Sequence, residues 1–162
     1  LIWCVSHGGN LLLNIGPAAD GHVQPWQRRI MERVGKWVHA HGEAIYGCEG
    51  APAAPLNNGI APWATTRRGN TLYLHLLRYP GPRLAVATLH DHRFVSARVL
   101  DTGQPLEVRH EPTRDVLRGL PTRPPDPLAT VVAVKVRPLS APERARRAVI
   151  GVADPNAEWA AG

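Results

Sequence analysis

An α/β segment followed by an antiparallel β-sandwich is the fold class this sequence predicts, and three features predict it. Leu11 to Ile15 is a short apolar run closed off by Gly8-Gly9 and Gly16-Pro17. That is the form of a strand buried on both faces, as in a parallel sheet covered by helices. Next, Trp26, Ile30, Val34, Trp37 and Val38 recur mostly at steps of three and four, which lays one apolar stripe along a helix. Beyond residue 60 the period becomes two, in short runs separated by Gly, Pro and Asp turns.

Taken in order, Leu1-Ile2-Trp3 reads as the end of a helix that stops at Gly8-Gly9. In the strand that follows, Leu11, Leu13 and Ile15 share one face, and Leu12 and Asn14 share the other. Asn14 stands out as a polar amide near the carboxyl end of an otherwise apolar strand, the end where α/β barrels place their chemistry. Pro17 to Gln24 is a polar loop carrying the turn pair Asp20-Gly21. Pro25 then suits a first helical position. Gln27, Arg28, Arg29, Glu32, Arg33 and Lys36 fill the solvated side of a helix over residues 24–41. Gly42 offers a stop, with His39 and His41 near the negative helix end.

The run from Val5-Ser6-His7-Gly8-Gly9-Asn10-Leu11-Leu12-Leu13-Asn14-Ile15-Gly16-Pro17 to Asp20-Gly21 resembles the late-barrel motif of α-L-fucosidases, glycoside hydrolase family 29. The resemblance continues through Gly35-Lys36-Trp37 and Gly42-Glu43-Ala44-Ile45-Tyr46-Gly47, with His41 where Asn is usual. It is strong over residues 5–47. A weaker likeness runs from Gly69-Asn70-Thr71-Leu72-Tyr73-Leu74-His75 to about Arg137.

This resemblance implies that residues 1–47 are the last strand–helix unit of a TIM-like barrel and that a C-terminal β-sandwich follows. It implies a fragment of an exo-acting, retaining enzyme that hydrolyses terminal α-L-fucosyl linkages of glycoconjugates. Retaining glycosidases use two carboxyl groups about 5–5.5 Å apart. In the family these are an Asp nucleophile and usually a Glu acid/base on upstream barrel segments. No catalytic residue is therefore carried over to this chain, and the chain alone is expected to be inactive. A fucosylated oligosaccharide would be bound through the missing barrel, with no cofactor, in a secreted, periplasmic or lysosomal enzyme. A start in mid-helix without an initiator Met agrees with truncation.

After Gly47 the composition changes. Residues 48–59 hold Pro52, Pro55, Ala53-Ala54 and Asn57-Asn58-Gly59, and read as a linker. Strands are expected at Thr71 to Leu77, Leu84 to Leu89, Phe94 to Leu100, Leu106 to His110 and Asp115 to Leu120. Thr130 to Val136 is the most β-prone run. Together they assign residues 60–138 to the sandwich. Residues 139–162 are expected to be a partly disordered tail, in which Ser140 would cap a short basic helix to Ala148.

The chain of 162 residues carries a net charge of +6 and a pI of about 10.1. Its arginines are scattered, without lysine runs or interleaved aromatics, so nucleic acid is not the expected partner. No apolar run approaches a membrane span, and no membrane partner is expected. Cys4 and Cys48 lack metal-ligand spacing and read as buried free thiols, with a disulfide as the alternative.

Among candidate site residues, Asn14 is the expected substrate-side contact, lining the barrel mouth; a buried amide satisfying loop backbone is the plainer alternative. Asp20 reads as a turn former, Glu43 as a residue bonding backbone or the neighbouring loop, and Glu32 as solvated. His90-Asp91-His92 looks like a ligand triplet but falls in an expected sandwich turn, so no metal site is assigned. His75 is expected to be exposed on its strand. Trp26 and Trp37 are expected to pack on the helix stripe, and Trp63 between domains. A second function class remains open: a non-catalytic, carbohydrate-binding or structural sandwich of an inactive relative. That reading requires an exposed aromatic platform, for which Trp63, Tyr73, Tyr79 and Phe94 are the available residues.

Overall fold

In the computed structural model, residues 1–51, 63–87, 92–112 and 114–149 are described. The first elements are helical: α1 (Ile2–Ser6) and α2 (Pro25–His41). Pro25 starts α2, where its fixed φ suits the first turn and its missing N–H is no loss. The helix does not stop on a left-handed Gly42. Gly42 keeps a right-handed φ of −56° and the chain tightens into a 3₁₀ turn over Gly42–Ala44, while Gly47 supplies the left-handed residue at φ 66°. A Cβ at Gly42 would lie 3.2 Å from the Tyr46 ring, a tight contact that the exposed Tyr46 side chain would have to relieve.

The strand expected at Leu11 to Ile15 is not formed. Residues 9–16 carry no regular structure, and Leu11, Leu12, Leu13 and Ile15 are all exposed. A strand of the two-sided buried kind exists only between hydrogen-bonded neighbours and under covering helices. Among the described residues no strand pairs with this run; the one bridge nearby joins Pro17 to Val23.

Among the described residues, eight strands follow: β1 (Glu49–Gly50), β2 (Trp63–Arg68), β3 (Thr71–Leu76), β4 (Arg83–Ala87), β5 (His92–Val99), β6 (Pro105–His110), β7 (Arg114–Arg118) and β8 (Thr130–Pro138). They form a sheet of order β1-β2-β3-β8-β5-β6-β7-β4 in which every pairing is antiparallel. The sheet turns over at β6. Pro105 and Leu106 pair with β5, while Glu107 to His110 pair with β7. The turn brings Leu84, Val86 and Leu117 onto Leu72, Leu74, Leu76, Val132, Val134 and Val136 in one core cluster. A bulge between Phe94 and Ser96 flips the alternation of β5, so that Phe94, Ala97 and Val99 all enter this core while Val95 is exposed. The result is one antiparallel sheet folded over onto its own core, an arrangement consistent with the sandwich that the period-two runs predict.

The second face of β3 and β8 is also covered. Trp37 from α2, with Ala44 and Ile45, packs on Tyr73, Val131 and Ala133. Every residue of β3 is consequently buried. This corrects the expectation for His75, which has no solvent exposure. Trp26 is corrected in the opposite sense: at 54% exposure it does not pack, whereas Trp37 does. Trp63 is half-buried against the sandwich core. Beyond β8, helix α3 (Ala141–Val149) begins with Ser140 donating both its N–H and its hydroxyl to Glu143 Oε2 at 2.9 Å, closing the first turn.

Candidate functional site

Beside α2, the part of this same sheet face that the helix leaves open carries a polar groove. Register places Arg68, Thr71, Lys135 and Ser96 side by side across β2, β3, β8 and β5. Tyr73, Ala133 and Arg98 form the next row toward the helix. The space above them is about 610 Å³. Glu43, from the turn after α2, reaches over to Arg98 at 2.9 Å, and the Lys135 ammonium donates to the Thr71 hydroxyl at 2.7 Å. Burial raises the phenol pKa of Tyr73. Among the described residues Glu43 is the one carboxylate lining the groove, and it is already ion-paired. The groove thus offers cations and hydroxyls to a ligand, but not the two facing carboxyl groups that a retaining glycosidase needs.

Where α2 ends, a second polar cluster is enclosed. His41 is fully buried. Its Nδ1–H donates to the Trp37 carbonyl at 2.8 Å, and its Nε2 lies 2.7 Å from Asp101 Oδ1 in the β5–β6 turn. Asp126, from the loop before β8, brings a carboxylate oxygen within 4.8 Å of both. The Trp37 indole stacks on the His41 ring at 4.6 Å and donates to the Ala129 carbonyl at 2.8 Å. On the sheet below, Thr66 gives its hydroxyl proton to the Ala44 carbonyl at 2.6 Å. It must then accept from His75 Nε2–H at 2.9 Å, which leaves His75 Nδ1 buried without a partner. Burial foremost, and then the charge of His41, lowers the pKa of His75 to about 4.

Few of the residues singled out in the sequence meet at either place. Asn14 is exposed in the irregular segment, neither on a strand nor buried. Asp20 accepts from the His22 backbone at 3.2 Å and pairs with the His22 ring, the turn role expected of it. Glu32 is exposed, as expected. His92 opens β5 with its Nε2 3.2 Å from Arg67, while His90 and Asp91 lie outside the described residues. Cys4 and Cys48 are free thiols, half-buried rather than buried; burial raises the pKa of Cys48. His41, Asp101 and Asp126 were not singled out as a group. Their separation along the chain hides them, and only His41 gave a signal, as a helix-end residue that departs from an otherwise matching motif.

The first segment is also the part that a known family profile matches. The sequence profile of the family described as alpha-L-fucosidase matches residues 1–43. Tissue alpha-L-fucosidase of Mus musculus is 36% identical over 129 residues, covering 77% of this chain and 28% of that protein. Among solved structures, alpha-L-fucosidase isoenzyme 1 from Paenibacillus thiaminolyticus superposes with a TM-score of 0.70 at 31% identity, over 84% of this chain and 32% of that one. A GH29 alpha-L-fucosidase from Bacteroides thetaiotaomicron, trapped as a covalent intermediate with 2-fluoro-fucosyl fluoride, gives 0.71 at 29% identity, over 84% and 30%. The chain spans about three-tenths of the length of these relatives. In sequence and in fold, this chain is similar to a part of the α-L-fucosidases of glycoside hydrolase family 29.

Proposed function

We propose that this chain serves as one part of an exo-acting, retaining α-L-fucosidase, in which another part supplies both catalytic carboxyl groups. The observation that carries this reading is the exposed apolar surface of residues 1–43. Trp3, Leu11, Leu12, Leu13, Ile15, Trp26, Ile30 and Met31 are each at least 39% exposed within the segment that the fucosidase profile matches. Apolar side chains gathered in this way mark a surface made to be covered. On this reading Leu11 to Ile15 becomes a barrel strand once its neighbours are present, and the outward stripe of α2 lies against the barrel wall. Asn14 would then face the barrel mouth, where an amide orients substrate or a loop. Residues 1–47 would be the barrel's closing unit and residues 60–138 its supporting sandwich.

Retention through a glycosyl-enzyme is the chemistry implied by the trapped intermediate of the Bacteroides relative. The alternative of a carbohydrate-binding sandwich lacks its platform among the described residues. Trp63 is packed on the core, Tyr73 and Phe94 are buried, and Tyr79 donates to the Pro121 carbonyl at 2.6 Å.

The test is a chimera in which this chain replaces the matching segment of the Mus musculus enzyme, assayed on an aryl α-L-fucoside. The chimera is expected to turn over substrate and the 162-residue chain alone to show none. Turnover by the chain alone, or a folded, monodisperse chimera without activity, overturns the proposal. In an active chimera, Asn14→Ala is expected to lower kcat/KM at least tenfold; unchanged kinetics would remove Asn14 from the site.

A further inference from the structure

We propose that His41, Asp101 and Asp126 form a divalent-cation site of the zinc class, which fastens the end of α2 to two loops of the sandwich. The three residues come from separate elements: the last turn of α2, the β5–β6 turn and the loop before β8. One ligand atom of each lies within 4.8 Å of the others. Two further features favour a cation over a plain ion pair.

The first is the orientation of His41. Its Nδ1–H is committed to the Trp37 carbonyl, one turn back on the same helix, and this fixes Nε2 as the atom aimed at the carboxylates. Metal-binding histidines are held in this way, by a backbone or carboxylate acceptor on the second nitrogen. The Trp37 ring stacked on the imidazole and the complete burial of His41 hold that aim further.

The second is charge. Two carboxylates converge on one imidazole at the C-terminal end of a 17-residue helix, where the backbone carbonyls add negative potential. A single imidazolium balances one carboxylate, whereas a divalent ion balances both. The donor set of one imidazole nitrogen and carboxylate oxygens suits Zn²⁺ with a remaining position for water, and suits the harder Ca²⁺ and Mg²⁺ less well.

Without metal, a proton must lie between His41 Nε2 and Asp101 Oδ1, since two bare acceptors do not sit 2.7 Å apart. Metal binding expels that proton: the N–H bond breaks, the freed lone pair binds the ion, and the proton passes to the buffer. The site is made wholly of residues in this chain, so it stands or falls separately from the proposal above.

The experiment is calorimetric titration of metal-stripped chain with ZnCl₂, in two buffers of different ionisation enthalpy. The expected result is one ion per chain, release of about one proton, and a rise in Tm on saturation. Asp126→Asn keeps the His41–Asp101 contact and is expected to fold with an unchanged spectrum and to bind Zn²⁺ at least tenfold more weakly. Asp20→Asn, which disables the exposed His22–Asp20 pair, is expected to change nothing. Absence of saturable binding leaves His41–Asp101 as an ion pair only and overturns the site. Undiminished binding by Asp126→Asn, loss of binding in Asp20→Asn, or preference for Ca²⁺ over Zn²⁺ overturns it as well.

Discussion

His75 shows what a neutral, enclosed imidazole does to stability. With its pKa lowered to about 4, it is uncharged in the fold but takes up a proton near 6.5 once unfolded. Between those values the unfolded state binds more protons, so stability must rise with pH across that window and fall as acid is added. The full span corresponds to something on the order of 3 kcal/mol. His75→Gln keeps an amide donor for Thr66 and cannot titrate. Thermal melts from pH 7 to 4 are therefore expected to fall less steeply for the variant, and parallel curves would show that His75 is not the titrating group. Trp37 makes a complementary case. Trp37→Phe retains most of the packing on Tyr73 and Val131 but strands the buried Ala129 carbonyl. An unsatisfied buried acceptor costs about 1–3 kcal/mol, which a urea midpoint will read.

At the scale of elements, α2 has two fates along one stripe. Its C-terminal end, Trp37 to His41, is locked onto the sheet, while Trp26, Ile30 and Met31 are exposed. In this chain Ile30→Ser is accordingly expected to stay within about 0.5 kcal/mol of neutral. Ile45→Ala, in the cluster under the helix, is expected to cost about 2–5 kcal/mol by chemical denaturation. The alternation that gave β3 and β8 away is a local property, and so those strands could be read in the sequence. The same alternation says which residues share a face, but not whether something covers it. His75 was misplaced for that reason: α2, arriving from some thirty residues upstream, closes the second face of β3. Leu11 to Ile15 fails for the converse reason, since its pattern specifies a strand whose partners are not among the described residues. The groove cations could not be read, and of the His41–Asp101–Asp126 cluster only His41 left a signal. Register across β2, β3, β8 and β5 sets the first, and a helix end meeting two loops sets the second, and neither leaves a spacing in the chain.

For the whole molecule, the exposed surface of residues 1–43 should respond to one pair of substitutions with opposite signs in this chain alone and in a full-length chimera. Leu12 is 84% exposed and Ile30 49% exposed, on the segment that matches the fucosidase profile. In this chain such side chains meet water or one another, and apolar patches of this kind drive self-association. Sedimentation of the chain is expected to show concentration-dependent association, and Leu12→Lys with Ile30→Lys is expected to return it to monomer while leaving the sandwich melt unchanged. In a full-length chimera the same residues would be covered. Each fully buried large apolar side chain contributes about 1.5–3 kcal/mol, and a buried, unpaired lysine adds its own desolvation penalty. The double variant should there lower Tm and depress fucoside hydrolysis. Equal tolerance in both settings would mean that this surface faces solvent in the longer protein too, and the account of residues 1–47 as a barrel's closing unit would fail with it.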